Sequence, residues 1–245
     1  MKQTKLLMGM PISVEIIDKS ADKQIFKKVY DYFVYVDNTY STYKETSEIS
    51  RINNGLPKSQ WSQEMKDVLE LCEQTKIKTN GYFDIERGGK LDPSGLVKGW
   101  AIQRASELIN EAGFSNYYID AGGDIQVSGK RLKGEGWHIG IRNPFNRDEV
   151  IKTVTLSNNG IATSGTAIRG QHIYNPHQPS GTIEDVVSLS VIGPDVYNAD
   201  RFATAAFAMG YAGVEFIETL PSFEAYMINA EGIATMTSGF ERYVV

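Results

Sequence analysis

The order in which helical and extended segments follow one another is the strongest constraint on the fold of this chain. In the first 110 residues and again after residue 200, apolar side chains recur at three- and four-residue spacing, which predicts helices with one buried face. Between residues 117 and 192, short apolar runs predict strands. Because the strands are grouped and do not alternate regularly with helices, we expect an α+β fold and not a doubly wound parallel sheet.

Start and stop signals divide the chain into predicted elements, with Ser62 as an N-cap and Gly113 as a C′ residue. We predict helices from just after Ser20 to about Asn38, from Ser62 to the turn at Asn80 and Gly81, from Ser94 to Gly113, from about Asp200 to Gly210, and over residues 214–220. We predict strands over residues 12–16, 117–119, 125–128, 138–141, 150–156, 186–192, 225–229 and 233–235. No repeat or linker interrupts this series, so residues 1–245 are predicted to form a single compact domain.

Composition excludes several classes of protein. The chain has 25 Lys and Arg against 30 Asp and Glu, a net charge of −5, whereas sequence-independent nucleic-acid binding requires a cationic face. The single cysteine, Cys72, excludes an intrachain disulfide and any multi-cysteine metal site, and it lies on an apolar helix face where we expect it to be inert. No apolar run reaches the ~20 residues of a membrane span, and the N-terminus resembles a strand more than a signal peptide, which predicts a cytoplasmic protein.

Two helix beginnings carry oxygen ligands or anion-binding groups. The segment from Asp92 to Gly99 opens the third predicted helix, where Ser94 can cap and Gly95 lets a phosphate approach the first backbone amides. Asp200 and Thr204, four residues apart, share one face of the fourth predicted helix, and such oxygens suit Mg²⁺. Simple capping by Asp92 and Ser94, and charge compensation of the helix dipole by Asp200, remain alternatives.

Two further segments contain glycine beside polar side chains. Gly122 and Gly123 precede Asp124, which predicts either a hairpin turn or a close approach to a ligand. A second segment, Ala162-Thr163-Ser164-Gly165, is followed by His172, whose imidazole is either a general base near neutral pH or a hydrogen-bonded structural group. The other two histidines, His138 and His177, are expected to be structural.

These segments, in order along almost the whole chain, resemble the ApbE family, the FAD:protein FMN transferases. The resemblance is carried by Met8-Gly9-Met10-Pro11, by the segment from Ser41-Thr42-Tyr43 to Asn53, by Gly81-Tyr82-Phe83-Asp84, by Asp92 to Lys98-Gly99, by Gly122-Gly123-Asp124, by Ala162-Thr163-Ser164-Gly165, by His172-Ile173 with Pro176, and by Ala199-Asp200 with Ala203-Thr204. It implies a T-fold-like domain of mixed and antiparallel sheets with helices packed on them.

The resemblance also implies an activity and a set of site residues. Such enzymes bind FAD with Mg²⁺ and transfer its FMN half to a threonine hydroxyl of an acceptor flavoprotein, with AMP as the leaving group. By position, His172 and Asp200 would be catalytic, and Gly95, Asp200 and Thr204 would bind the metal. The FAD site would be formed by Met8, Tyr43, Tyr82, Phe83, Asp84, Asp92, Lys98, Gly123, Asp124, Thr163, Ser164 and Gly165.

The chain departs from the family pattern in ways that keep alternatives open. The stretch between Asp84 and Asp92 is short, where many members carry a long insertion that reaches toward the cofactor. Asp92-Pro93-Ser94 replaces the commoner Asp-Leu-Gly type, and Asn175 stands where an Asp is usual. Two other functions fit the same residues: hydrolysis of FAD to FMN and AMP, and binding of FAD without turnover.

Overall fold

The structure, a computed structural model, describes residues 1–131, 134–146, 148–166, 173–178 and 180–245. His172 lies outside these residues. The described part has the predicted α+β architecture, a single body of antiparallel sheets with helices packed against them. None of its helices is long and apolar enough to cross a membrane.

Six α-helices occur among the described residues, and most of them begin close to the predicted positions. Ser62 caps the third by accepting a hydrogen bond from the backbone N–H of Met65 (3.1 Å), and Gly113, with φ of 86°, ends the fourth. The helices are α1 (Lys23–Tyr40), α2 (Glu48–Asn53), α3 (Gln63–Lys78), α4 (Ser94–Glu111), α5 (Val196–Ala208) and α6 (Ala212–Glu218).

Twelve strands form three antiparallel sheets in the described part of the chain. They are β1 (Lys2–Leu7), β2 (Met10–Ile16), β3 (Glu86–Arg87), β4 (Lys90–Leu91), β5 (Tyr117–Ala121), β6 (Asp124–Ser128), β7 (Trp137–Arg142), β8 (Val150–Leu156), β9 (Gly160–Gly165), β10 (Val186–Gly193), β11 (Glu224–Asn229) and β12 (Ala234–Met236). Eight of them form one sheet in the order β1-β2-β5-β6-β9-β10-β11-β12, while β3–β4 and β7–β8 are separate hairpins.

Buried apolar side chains between the sheet and the layers that cover it form three clusters. One packs β2 and β5 against α1, α3 and α4, and a second packs β10 and β11 against α5 and α6. The third joins β6 to the β7–β8 hairpin, through side chains such as Val127, Ile139 and Val154. Cys72 lies in the first cluster, where burial raises the pKa of its thiol to about 12.

Three sequence predictions about elements were wrong. Ser94 does not cap α4, because the Asp92 carboxylate accepts the Ser94 N–H (3.1 Å) and Pro93 holds the N-cap position. The fourth predicted helix, α5, begins four residues before Asp200, since the Asp195 carboxylate accepts the N–H of Asn198 (2.7 Å) and opens the helix there. The predicted strands also omit residues 160–165, which form the central strand β9.

Helices α4 and α5 approach each other closely at Gly99. A Cβ atom at this position would lie 2.6 Å from Cβ of Asp200 and 2.8 Å from the carbonyl oxygen of Val196. The approach lets the backbone N–H of Gly99 donate a buried hydrogen bond to Oδ2 of Asp200 (2.8 Å). Glycine is therefore required here by packing, in spite of its low helix propensity.

We predict that Gly99→Ala destabilises the protein although alanine is the better helix former. The added methyl group overpacks the α4–α5 contact, and the free energy of unfolding should fall by about 1–3 kcal/mol. Urea unfolding followed by circular dichroism measures the change. Asn110→Ala, at an exposed position of the same helix, is the control and should change stability by less than about 0.5 kcal/mol. An unchanged or more stable Gly99→Ala variant would contradict the predicted packing.

Candidate functional site

A large cavity opens where α4 and α5 meet the ends of β5, β6 and β9. Its volume is about 1420 Å³, which exceeds the ~300–1,000 Å³ typical of small-molecule pockets. Its wall includes residues of α4, α5 and the β3–β4 hairpin, and residues of β7 and the start of β8. The cavity therefore has room for more than one substrate.

A lysine held between two buried aspartates joins the two helices to the sheet. Nζ of Lys98 lies 2.5 Å from Oδ2 of Asp124, on β6, and 3.7 Å from Oδ1 of Asp200, on α5. Oδ1 of Asp124 accepts the backbone N–H of Thr163 (3.1 Å), which ties the carboxylate to β9. Burial raises the pKa of Asp200, and the nearby Lys98 cation opposes that rise.

Thr204 and Gly95 lie next to this ion cluster. Oγ1 of Thr204 donates to the carbonyl oxygen of Gly95 (3.3 Å), and Cγ2 of Thr204 would be 3.2 Å from a Cβ placed on Gly95. Asp200 and Thr204 share one face of α5, and all three residues line the cavity. Asp200 lies more than a turn inside α5, however, so the expected second helix beginning does not contribute to this site.

The oxygen atoms of this corner form a hard donor set. A carboxylate, a hydroxyl and a backbone carbonyl come from Asp200, Thr204 and Gly95. No group of three or more His, Cys, Asp or Glu side chains in the described ranges is arranged to hold a metal by itself. Mg²⁺ commonly takes only one or two carboxylates and completes its shell with water and phosphate oxygens, so these residues fit a magnesium–phosphate pair.

The structure brings most of the residues predicted for the FAD site to the cavity wall. The predicted residues that line the cavity are Tyr82, Phe83, Asp84, Asp92, Lys98, Gly123, Thr163, Ser164 and Gly165. Three described ones do not line it. Tyr43 is 97% exposed, Met8 packs against the first core cluster, and Asp124 lies behind the wall as the partner of Lys98.

The Gly122 and Gly123 pair forms the two-residue turn of the β5–β6 hairpin. Both residues have positive φ angles, 64° and 99°, which glycine adopts without steric cost. The N–H of Gly123 donates to Oδ1 of Asp120 (2.9 Å), and the hydroxyl of Tyr118 donates to Oδ2 (3.1 Å). The predicted turn thus exposes backbone at the cavity wall.

Asp120 and Tyr118 line the cavity but were not identified from the sequence. Burial raises the pKa of Asp120, while its hydrogen bonds from Gly123 and Tyr118 oppose the rise. The available signal was the alternation of β5, in which Asp120 falls between the buried Ile119 and Ala121. That pattern identifies a partly buried polar position but does not show that it faces a cavity.

The short segment between Asp84 and Asp92 folds as the β3–β4 hairpin and forms part of the cavity wall. The guanidinium of Arg87 lies 4.6 Å from the ring centroid of Tyr174, whose hydroxyl donates to the carbonyl of Glu86 (3.2 Å). Asn53 fixes the other strand, since its Nδ2 donates to the carbonyl of Leu91 (2.9 Å) and its Oδ1 accepts the Leu91 N–H (2.8 Å). Few residues therefore suffice to build this wall.

Comparisons with known proteins agree on one family. The family model described as "ApbE family" matches residues 8–89 and 86–227. The FAD:protein FMN transferase of Escherichia coli K12 is 22% identical over 283 aligned positions, covering 90% of this chain and 81% of the relative. That span exceeds the 245 residues of this chain, so the relative carries additional residues within it.

Solved structures show the same fold. The flavin transferase ApbE from Vibrio cholerae is similar with a TM-score of 0.87 and 21% identity, covering 99% of this chain and 98% of the other. The ApbE protein from Thermotoga maritima gives a TM-score of 0.88 and 19% identity, with the same coverage. The predicted fold class is confirmed by these similarities.

We predict that Lys98→Met destabilises the protein in a pH-dependent way. Removal of the cation leaves the carboxylates of Asp124 and Asp200 buried without compensation, and the free energy of unfolding at pH 8 should fall by about 3–5 kcal/mol. Burial raises the pKa of Asp200 above its unfolded value, so the folded state binds more protons, and the loss should shrink as the pH falls toward 5.

Urea unfolding at pH 8 and pH 5 measures this effect. Lys90→Met, which removes an exposed lysine on the same cavity, is the matched control and should have little effect at either pH. An equal loss for Lys98→Met at both pH values would show that lost packing, and not uncompensated charge, causes the destabilisation.

Proposed function

Because the chain belongs to the ApbE family, we propose that it is an FAD:protein FMN transferase. In this proposal, residues 1–245 act as one transferase domain that moves the FMN half of FAD to a threonine hydroxyl of an acceptor flavoprotein, with Mg²⁺, and releases AMP. The observation that carries the proposal is the corner where the oxygens of Asp200, Thr204 and Gly95 line one wall of a cavity large enough for a dinucleotide.

Asp200, Thr204 and the Gly95 carbonyl would hold the metal beside the diphosphate of FAD. When bound, Mg²⁺ neutralises charge on the phosphates and favours in-line displacement. Lys98 keeps Asp200 in place, and its positive charge offsets the negative charges of the buried Asp124 and Asp200 carboxylates. The site therefore does not accumulate negative charge that would repel a diphosphate. The chain's own contribution is thus binding, orientation and charge balance.

The transfer exchanges the phosphoanhydride bond of FAD for a phosphoester bond to the acceptor. The acceptor hydroxyl oxygen forms a bond to the phosphorus of the FMN half, and the bond from that phosphorus to the bridging oxygen breaks. AMP leaves with the bridging oxygen, and the hydroxyl proton passes to a base. We assign this base to His172, on the resemblance given above, and a positioned base of this kind contributes ~10²–10⁴-fold.

Tyr82, Phe83 and the β5–β6 turn would contact the flavin nucleotide along the remaining wall. Phe83 is buried and would be 3.4 Å from a Cβ on Gly95, so its ring supports the first turn of α4. Thr163 and Ser164 come from β9, beside the carboxylate of Asp124. These contacts support a site that is largely preformed, which favours a precise approach of the acceptor oxygen.

The proposal is tested by following the flavin. The protein is incubated with FAD, MgCl₂ and a flavoprotein that carries a candidate acceptor threonine, and the products are separated under denaturing conditions. We expect a fluorescent acceptor band and one AMP for each flavin attached, both abolished by EDTA and by Thr→Val at the acceptor position. Free FMN and AMP without a labelled band would indicate hydrolysis, and no change in FAD would indicate binding alone.

We predict that Asp200→Asn lowers the rate of transfer at least about 100-fold, because the amide cannot supply the anionic metal ligand. Thr204→Val should raise the Mg²⁺ concentration needed for half-maximal rate by about tenfold or more. Asp31→Asn, at an exposed ion pair on α1, is the control and should leave both quantities unchanged. Unaltered Mg²⁺ dependence in both site variants, with the fold intact by circular dichroism, would remove Asp200 and Thr204 from the metal site.

A further inference from the structure

Strand β7 faces the cavity with its backbone. Five consecutive residues, His138 to Arg142, line the cavity, although their side chains alternate between exposed and buried. Side chains on opposite faces of a strand cannot all point into one cavity, whereas an edge of the strand presents every residue to it. The wall on this side is therefore a strand edge.

Two hydrogen bonds show which backbone groups lie on that edge. The N–H of Asn143 donates to the carbonyl of Glu149 (2.8 Å), toward β8, and the N–H of Val245 donates to the carbonyl of Thr153 (3.1 Å) on the far side of β8. Backbone groups alternate sides along an antiparallel strand, so residues 137, 139 and 141 bond to β8. The N–H and C=O groups of His138 and Gly140 therefore point away from β8, along the other edge of β7.

This edge is open among the described residues. Beyond the β7–β8 ladder, His138 and Gly140 have no backbone hydrogen bond to any described residue, and both are exposed. Gly140 has no side chain that would shield the groups beside it. Natural strands usually protect an unpaired edge with a lysine, a proline or a bulge, because it otherwise pairs with another chain. The bulge in this hairpin places its extra residue on β8 and leaves β7 regular.

We propose that an extended segment of the acceptor polypeptide pairs with this edge of β7 and so carries its threonine into the cavity. The inference rests on the proposed transferase function and names how the second substrate binds. The N–H and C=O groups of His138 and of Gly140 form two donor–acceptor pairs, two residues apart along the strand. Such a pattern is complementary to the backbone of another strand. Asp200 and Thr204 line the same cavity, so a segment bound on β7 enters the cavity that contains the metal corner.

Further features favour a polypeptide as the occupant. The cavity is larger than one small-molecule pocket, which leaves volume for a second substrate beside the dinucleotide. At the start of β8, Val150 is 54% exposed and lines the cavity. Its side chain offers an apolar contact to a residue flanking the threonine. Backbone pairing is tolerant of sequence, so specificity would come from such flanking contacts.

The test compares His138→Pro with His138→Ala in the full chain. Both remove the imidazole, but only proline removes the N–H that points away from β8, and proline is tolerated at such a position of an edge strand. We expect His138→Pro to have a roughly tenfold lower kcat/KM for the acceptor than His138→Ala, mainly through KM, as expected for loss of about one hydrogen bond. The Kd for FAD, measured by flavin fluorescence, should be the same in the two variants.

Other outcomes would overturn the inference. Equal transfer by the two variants would show that the edge does not bind the acceptor, while transfer by the unaltered protein would still support the proposed function. Weaker FAD binding by His138→Pro alone would assign the edge to the flavin. A dimer of the unaltered protein that His138→Pro abolishes, in sedimentation, would assign it to a second copy of this chain. No transfer by the unaltered protein would reject the transferase function itself.

A second measurement keeps the inference testable if His138→Pro fails to fold. Peptides made from the sequence around the modified threonine are methylated at one backbone nitrogen at a time and assayed with the unaltered protein. Strand pairing predicts that methylation at alternate residues lowers kcat/KM and that methylation at the residues between them has little effect. Uniform sensitivity, or none, would contradict pairing with β7.

Discussion

The cluster in which Lys98 stands between Asp124 and Asp200 is the interaction on which the rest of the site depends. It joins α4, α5 and β6 in the protein interior, where a charge without a partner is costly. The close approach of the helices at Gly99 makes the cluster possible, because any side chain there would displace Asp200. The same contact fixes Thr204 against the first turn of α4, and so determines which oxygens reach the cavity.

The two sides of the cavity are built on different principles. On the helix side, side chains held by packing and buried charges offer oxygen atoms to a metal and a diphosphate. On the β7 side, the strand offers backbone groups that recognise an extended chain more than a particular sequence. A transferase that joins a nucleotide to a protein needs both kinds of surface in one cavity, and the β5–β6 turn and Asp120 line that cavity as well.

Local signals in the sequence were sufficient for much of the fold. Ser62 and Gly113 marked helix ends because capping depends on one residue and its neighbours. The start of α5 was misplaced because Asp195 and Asp200 are both plausible near a helix beginning, and only the hydrogen bond to Asn198 distinguishes them. The residues of the candidate site were harder to predict, because their positions depend on contacts between distant parts of the chain. Tyr43 lies in solvent and Asp120 faces the cavity, and the sequence around each residue does not indicate this.

The central claim is that the oxygens of Gly95, Asp200 and Thr204 bind a divalent cation beside the diphosphate of FAD. The most direct measurement is a crystal structure of the protein with FAD and Mn²⁺, in which anomalous scattering locates the metal. We expect one peak within about 2.0–2.3 Å of the Asp200 carboxylate, with the Thr204 hydroxyl, the Gly95 carbonyl and a phosphate oxygen in the same shell. A metal bound elsewhere, with FAD in the cavity and Asp200 still held only by Lys98 and Gly99, would contradict the claim.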